Sequence, residues 1–139
     1  MRFFYLALIA IFFAFPCHAA DHAPIPDPQA IKNLAAQGDA DAEDKVGLMY
    51  LQGMDEPKDY VQALKWFEQS AKQGNTDAAY NAGNIYDNGI SVGQDYAKAA
   101  QWYLKAADGD KGKVEAQAEL GAMYSSGRGV PQDYAEAAK

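Results

Sequence analysis

Apolar residues along this chain recur at helical rather than strand spacing. Val46, Met49 and Tyr50 share one face, as do Ala82, Ile85 and Tyr86, and then Leu120, Met123 and Tyr124, each set at the i, i+3, i+4 interval of an amphipathic helix. A second kind of stripe alternates with these. Tyr60, Ala63, Leu64, Phe67 and Ala71 form the first, and Tyr96, Ala99, Ala100, Tyr103 and Ala107 the next. The pattern therefore predicts pairs of helices, A then B, with A of the first pair over about Ala40 to Gln52.

The pairs are copies. Gly47, Tyr50, Gly53, Asp59, Tyr60, Ala63 and Trp66 return 36 residues later as Gly83, Tyr86, Gly89, Asp95, Tyr96, Ala99 and Trp102. A further shift of 38 gives Gly121, Tyr124, Gly127, Asp133, Tyr134 and Ala137. Self-similarity at such a period marks stacked repeats, each too small to bury its own apolar face. The resulting division is 28–38 as an N-terminal half-repeat helix, 39–74 as repeat 1, 75–112 as repeat 2 with a two-residue insertion at its end, and 113–139 as an incomplete third repeat. The half-repeat is read from Ala35-Ala36-Gln37-Gly38, which matches Ala71-Lys72-Gln73-Gly74. The middle copy has a matched neighbour on each side and is expected to be the best buried.

Each anchor has a physical role. Gly47, Gly83 and Gly121 lie inside helix A, where glycine costs about 1 kcal/mol relative to Ala; a cost repeated in every copy implies close approach of a neighbouring helix. Gly53, Gly89 and Gly127 follow helix A, where a left-handed residue ends a helix. Asp59, Asp95 and Asp133 precede helix B as N-caps worth about 1 kcal/mol each, and Gln62 and Glu136 stand where a capping box would be completed. Trp66 and Trp102 border the B stripe and are expected to fill the gap to an adjacent repeat, at about 3–5 kcal/mol on truncation. The insertion, within Asp108 to Val114, has acids around two glycines. Its glycine offset and early closing Glu115 do not suit an EF-hand loop, so it reads as a solvated turn.

Composition changes the picture mainly at the N-terminus. Arg2 precedes an unbroken apolar run, Phe3 to Phe15, ended by Pro16 and followed by Cys17-His18-Ala19. The run is shorter than the roughly 20 residues a membrane helix needs, and the small-residue pattern reads as a secretory signal peptide over 1–19. A Pro-rich spacer follows over 20–27. With cleavage after Ala19 the one Cys leaves with the leader, and thiol chemistry and a disulfide framework are excluded from the mature chain. The net charge of −7 becomes −8 once Arg2, the leader's one charge, is removed. An acidic chain without a basic cluster argues against nucleic acid as a partner and against anionic lipid, and no transmembrane segment is expected after leader cleavage.

Leu120-Gly121-Ala122-Met123-Tyr124, the run from Gly127 through Tyr134, and Ala99 with Trp102-Tyr103 and Lys105-Ala106-Ala107 carry a resemblance to the Sel-1-like repeat family, a branch of the tetratricopeptide-like α-solenoids. It covers about Asp27 to Lys139. The resemblance implies an all-α fold, a right-handed α-solenoid of stacked antiparallel helix pairs, and an adaptor that presents a concave groove to proteins or peptides; many such proteins are exported by bacteria. Asp55 and Ser91 replace the second loop glycine, Gly129, so the first two loops are expected to follow a different backbone path.

If the repeats stack as the resemblance implies, helix A lines the groove. Asp41, Asp44, Leu48, Leu51, Asp77, Tyr80, Asn84 and Asp87 are then the partner-binding candidates. They describe an acidic, mildly apolar surface suited to a basic or mixed polypeptide, with Tyr80 as its best anchor because aromatic residues dominate interface hot spots. Gly47, Tyr50, Gly53, Asp59, Trp66, Gly83, Tyr86, Gly89, Asp95, Trp102, Gly121, Tyr124, Gly127 and Asp133 are structural. No catalytic, metal or cofactor residues are assigned, since after the leader only His22 remains as a ligating or basic ring, in the spacer. The expected role is a non-catalytic interaction scaffold of the bacterial envelope, periplasmic or secreted. Two alternatives stand beside it: a structural subunit of a larger envelope assembly, and a secreted enzyme of β-lactamase-like or cell-wall-related activity. The last follows from Cys-rich relatives linked to β-lactams, whose paired cysteines this chain lacks. Oligomeric state is left open.

Overall fold

The computed structural model of the chain describes residues 27–108 and 112–138. The leader, most of the spacer, the tip of the insertion and Lys139 lie outside the described residues. The helices are α1 (Pro28–Ala36), α2 (Ala40–Gln52), α3 (Tyr60–Lys72), α4 (Thr76–Asn88), α5 (Tyr96–Ala107), α6 (Val114–Ser126) and α7 (Tyr134–Ala137). Helices α2 and α3 pair, as do α4 and α5, while α3 on α4 and α5 on α6 join one pair to the next. The result is the all-α solenoid of antiparallel pairs that the repeat implies, and no described helix is long and apolar enough to cross a membrane.

The helix ends show why these segments fold locally. Asp27 accepts from the N–H of Gln29 at 3.2 Å, with Pro28 in the first turn of α1. Asp39 and Asn75 cap α2 and α4 through the N–H groups of Ala42 (2.8 Å) and Ala78 (3.0 Å). Asp59, Asp95 and Asp133 cap α3, α5 and α7. Helices α2, α4 and α6 end on Gly53, Gly89 and Gly127, each at left-handed φ.

The loops correct one expectation. Asp55 (φ 64°) and Ser91 (φ 60°) adopt the same left-handed conformation as Gly129 (φ 74°), so the three loops share one path. What holds them is a hydrogen bond common to all: the N–H of Asp59, Asp95 and Asp133 donates to the carbonyl of Tyr50, Tyr86 and Tyr124 at 3.0, 3.0 and 2.9 Å. Closing the loop this way outweighs the local strain of a non-glycine residue at positive φ, and Asp and Ser tolerate it because a short polar side chain bonds locally. The same bond takes up the N–H that a capping box would have satisfied at Asp59.

The core runs from α3 to α6. Ala63, Phe67, Ala78, Ala79, Ala82, Ala99, Tyr103 and Ala106 are all within 1% of complete burial, and the small side chains let helix axes approach closely. A satellite cluster of Ala35, Ala42 and Val46 with Ile31, Tyr50 and Trp66 seats α1 on α2. The helix A glycines are indeed sites of close approach. A Cβ on Gly47 would stand 2.5 Å from the Phe67 ring and one on Gly83 2.6 Å from the Tyr103 ring. The deeply buried rings are thus Phe67 and Tyr103, while Trp66 and Trp102 are half-buried. This lowers the cost expected for losing either Trp, because only the covered part of a ring gains transfer energy.

Candidate functional site

Helices α2 and α4 and the start of α6 are stitched side by side by polar side chains. Asn75 donates from its amide to Asp41 (3.2 Å), and Asn81 donates to Asp44 (3.4 Å). Lys113, immediately before α6, forms an ion pair with Asp77. Its ammonium also sits 5.4 Å above the Tyr80 ring, whose other neighbour is the Tyr103 ring at 5.7 Å. Asp41, Asp44, Asp77 and Tyr80 therefore belong to one continuous face.

The other candidates are placed differently. Asn84 accepts from the Tyr103 hydroxyl at 2.8 Å, which positions the buried ring against Gly83. Asp87 is half-buried near the end of α4, 3.8 Å from the Arg128 guanidinium, which in turn covers the Tyr96 ring at 4.9 Å. Leu48 and Leu51 are half-buried against the core. Lys113 and Arg128, absent from the sequence-derived set, neutralise two of its acids. Both had a signal in the repeat register: Lys113 stands where the earlier copies have the caps Asp39 and Asn75, and Arg128 where they have Met54 and Ile90.

The electrostatics single out Asp44. Its carboxyl is held above the usual range first by burial and then by the charges of Asp77 and Asp41, against the opposing Asn81 hydrogen bond and the Lys113 charge. Lys113 is pushed up in turn, chiefly by Asp77. A raised carboxyl pKa means that the folded state holds the Asp44 proton more tightly than the unfolded chain does. Stability from this group is full below the unfolded value and falls as pH rises through the folded one. Asp44→Asn, which keeps an acceptor for Asn81, is accordingly expected to raise the melting temperature at neutral pH. The gain should vanish as pH approaches the unfolded aspartate value of about 3.9. A thermal melt series across pH measures this, and a neutral-pH loss would contradict it.

Elsewhere the polar contacts tie neighbouring helices together. Tyr86 donates to Glu68 at 3.0 Å, and burial followed by that carboxylate pushes its hydroxyl up to about 12. Ser70 donates to the Ala40 carbonyl at 2.6 Å and Gln73 to Glu43 at 2.7 Å, joining α3 to α2. Among the described residues no group of three or more His, Cys, Asp or Glu side chains is arranged to hold a metal ion.

Comparison with known proteins agrees with this construction. The Sel1 repeat family matches residues 40–75, 76–111 and 114–139. Among solved structures, the chain is similar to a protective antigen present in uropathogenic Escherichia coli strains and displaying an SLR fold. That match has 45% identity and a TM-score of 0.73, and spans 80% of this chain and 23% of that one. It is also similar to a Sel1 repeat protein from Oxalobacter formigenes, at 35% identity and a TM-score of 0.72, over 79% of this chain and 44% of the other. The chain thus spans less than half the length of either. No curated protein matches.

Proposed function

The chain belongs to the Sel1 repeat family, whose members are generally protein-interaction scaffolds, and on that premise we propose that it is a non-catalytic scaffold of the bacterial envelope. It binds a basic or mixed polypeptide through the face shared by α2, α4 and α6. The observation that carries this reading is Asp44: a carboxylate half-buried between two other acids, whose charged form costs the fold stability. A charge kept at such a cost is the usual mark of a functional position. A cationic side chain of the partner would relieve it, while Tyr80, whose ring already meets the Lys113 ammonium and the Tyr103 ring, remains half-exposed on the same face. Asp77 is partly neutralised by Lys113 and Asp87 by Arg128, so Asp44 and Asp41 are the acids left for a ligand.

Export rests on the sequence of residues 1–19. Crosslinking and pull-down from a bacterial envelope extract tests the reading. A partner captured by the wild type is expected to be lost with Asp44→Lys and with Tyr80→Ala, both checked for an unchanged helical circular dichroism signal. An unchanged set of captured proteins would remove this face from the binding role.

A further inference from the structure

Every described helix except α6 begins on a side chain that accepts from its first turn. At the start of helix A the repeat register puts Asp39 and Asn75 in that place, and in the third copy it puts Lys113, which makes no capping bond. The exchange is locally unfavourable twice over: a cap is lost, and a cation stands at the positive end of the helix dipole. The Lys113 backbone offers nothing new in return. Its N–H donates to the Ala106 carbonyl at 2.7 Å, just as the N–H groups of Asn75 and Asp39 donate to the carbonyls of Ser70 and Leu34. The insertion thus leaves the junction between helices B and A intact, and what distinguishes the third copy is the side chain.

That side chain reaches back across the repeat boundary to α4. Its ammonium pairs with Asp77 and sits 5.4 Å from the centre of the Tyr80 ring, so a carboxylate and an aromatic face surround one cation. The Lys113 side chain is 24% exposed, whereas Asp77 stays 63% exposed and open to a second cation from solvent. The Lys113 charge also reaches Asp44, where it opposes burial and the charges of Asp77 and Asp41. The candidate face therefore already holds a cation supplied by its own chain. On the reading that this face binds a basic polypeptide, we propose that Lys113 is a built-in competitor of that partner: it occupies Asp77 and Tyr80 in the free protein and swings out when a partner lysine or arginine enters beside Asp41 and Asp44. Only the side-chain stem has to rotate, because the backbone bond to Ala106 does not depend on it. An ion pair on so exposed a carboxylate adds little net stability, so the fold gives it up readily. A lone cation merely exchanges one ammonium for another, whereas clustered basic residues fill Asp44 and Asp77 together, and the competitor thereby selects for clusters.

A nuclear magnetic resonance titration of the full chain with acetyl-tetralysine amide tests this, at about 0.15 M salt, where charges more than about 8 Å away are screened. In the free protein the Tyr80 ring should shift the Lys113 Hε resonances upfield, and their loss in Lys113→Asn identifies them. Adding the peptide should return them to ordinary lysine positions. Lys113→Asn restores the cap of repeat 2 and should bind the peptide about threefold more tightly than the wild type, with no fall in melting temperature. Lys65→Asn makes the same charge change at an exposed position of α3 and should leave the affinity unchanged. No binding by the wild type or Lys113→Asn, or binding indifferent to Asp44→Lys, removes the face from the binding role and the competitor with it. Binding that is lost in Asp44→Lys, yet leaves the Lys113 resonances in place and is not tightened by Lys113→Asn, overturns the competitor alone and makes Lys113 a tie between α6 and α4.

Discussion

Tyr103→Ala is expected to remove about 3–5 kcal/mol of stability, a large share of the roughly 5–15 kcal/mol available to a domain. The ring is 1% exposed, sits on the backbone of Gly83, faces Tyr80 and donates its hydroxyl to Asn84. Burial pushes that hydroxyl's pKa well up, with the Asp87 charge adding to it, so it stays a proton donor across the working range. Because the notch opposite is a backbone groove with no side chain to collapse inward, the cavity left by truncation should persist. Loss in the middle repeat also uncouples its neighbours, since each repeat in such an array is stabilised through its interfaces. Urea unfolding of the full chain measures the effect. Tyr103→Phe should lose only the hydroxyl bond, about 1 kcal/mol, and Trp102→Ala should cost less than Tyr103→Ala because the Trp is half-buried. A Tyr103→Ala protein within 1 kcal/mol of wild type would show that the ring is not the wedge between α4 and α5.

Gly83→Ala should destabilise even though helix propensity alone favours it. Ala in a helix interior gains about 1 kcal/mol over Gly, but the added carbon would lie 2.6 and 2.7 Å from two ring carbons of Tyr103. Neither the ring, locked between helices, nor the α4 backbone has room to give, and overpacking of this kind costs about 1–3 kcal/mol. The expected net change is therefore a loss. Gly93→Ala is the control: that position is without positive φ and has nothing within 4 Å of the new carbon, and its effect should fall within about 0.5 kcal/mol of zero. Combining Gly83→Ala with Tyr103→Leu should cost less than the two single losses added together, since a smaller side chain accepts the new methyl; contacting residues couple in this way. Simple additivity would mean that Gly83 is retained for some reason other than the ring.

Much of the architecture was legible because a repeat states its rules more than once. Gly47 and Gly83 each break the local preference for helix at the same place in helix A, and the structure puts a ring from helix B against both. The Asp caps and the glycine stops were likewise visible, being properties of a few neighbouring residues. The identity of the ring was not. Trp66 and Phe67 are adjacent, both aromatic, and one position apart on a helix of 3.6 residues per turn, so which of them enters the notch depends on how α3 is rotated against α2. The loops went the other way: Asp55 and Ser91 suggested a new path, and the bond from Asp59 or Asp95 to a Tyr carbonyl across the loop imposed the old one.

The candidate face was legible as a set of positions on helix A but not as an electrostatic surface. Asp77 and Asp87 read as free acids until Lys113 and Arg128, 36 and 41 residues further on, came back to meet them. By itself the sequence determined the helices, their pairing and their order, because periodicity, caps and glycines act over a single turn. The tertiary structure alone decided which ring is buried and which acids remain unneutralised, because each of those depends on side chains about half a repeat or more away.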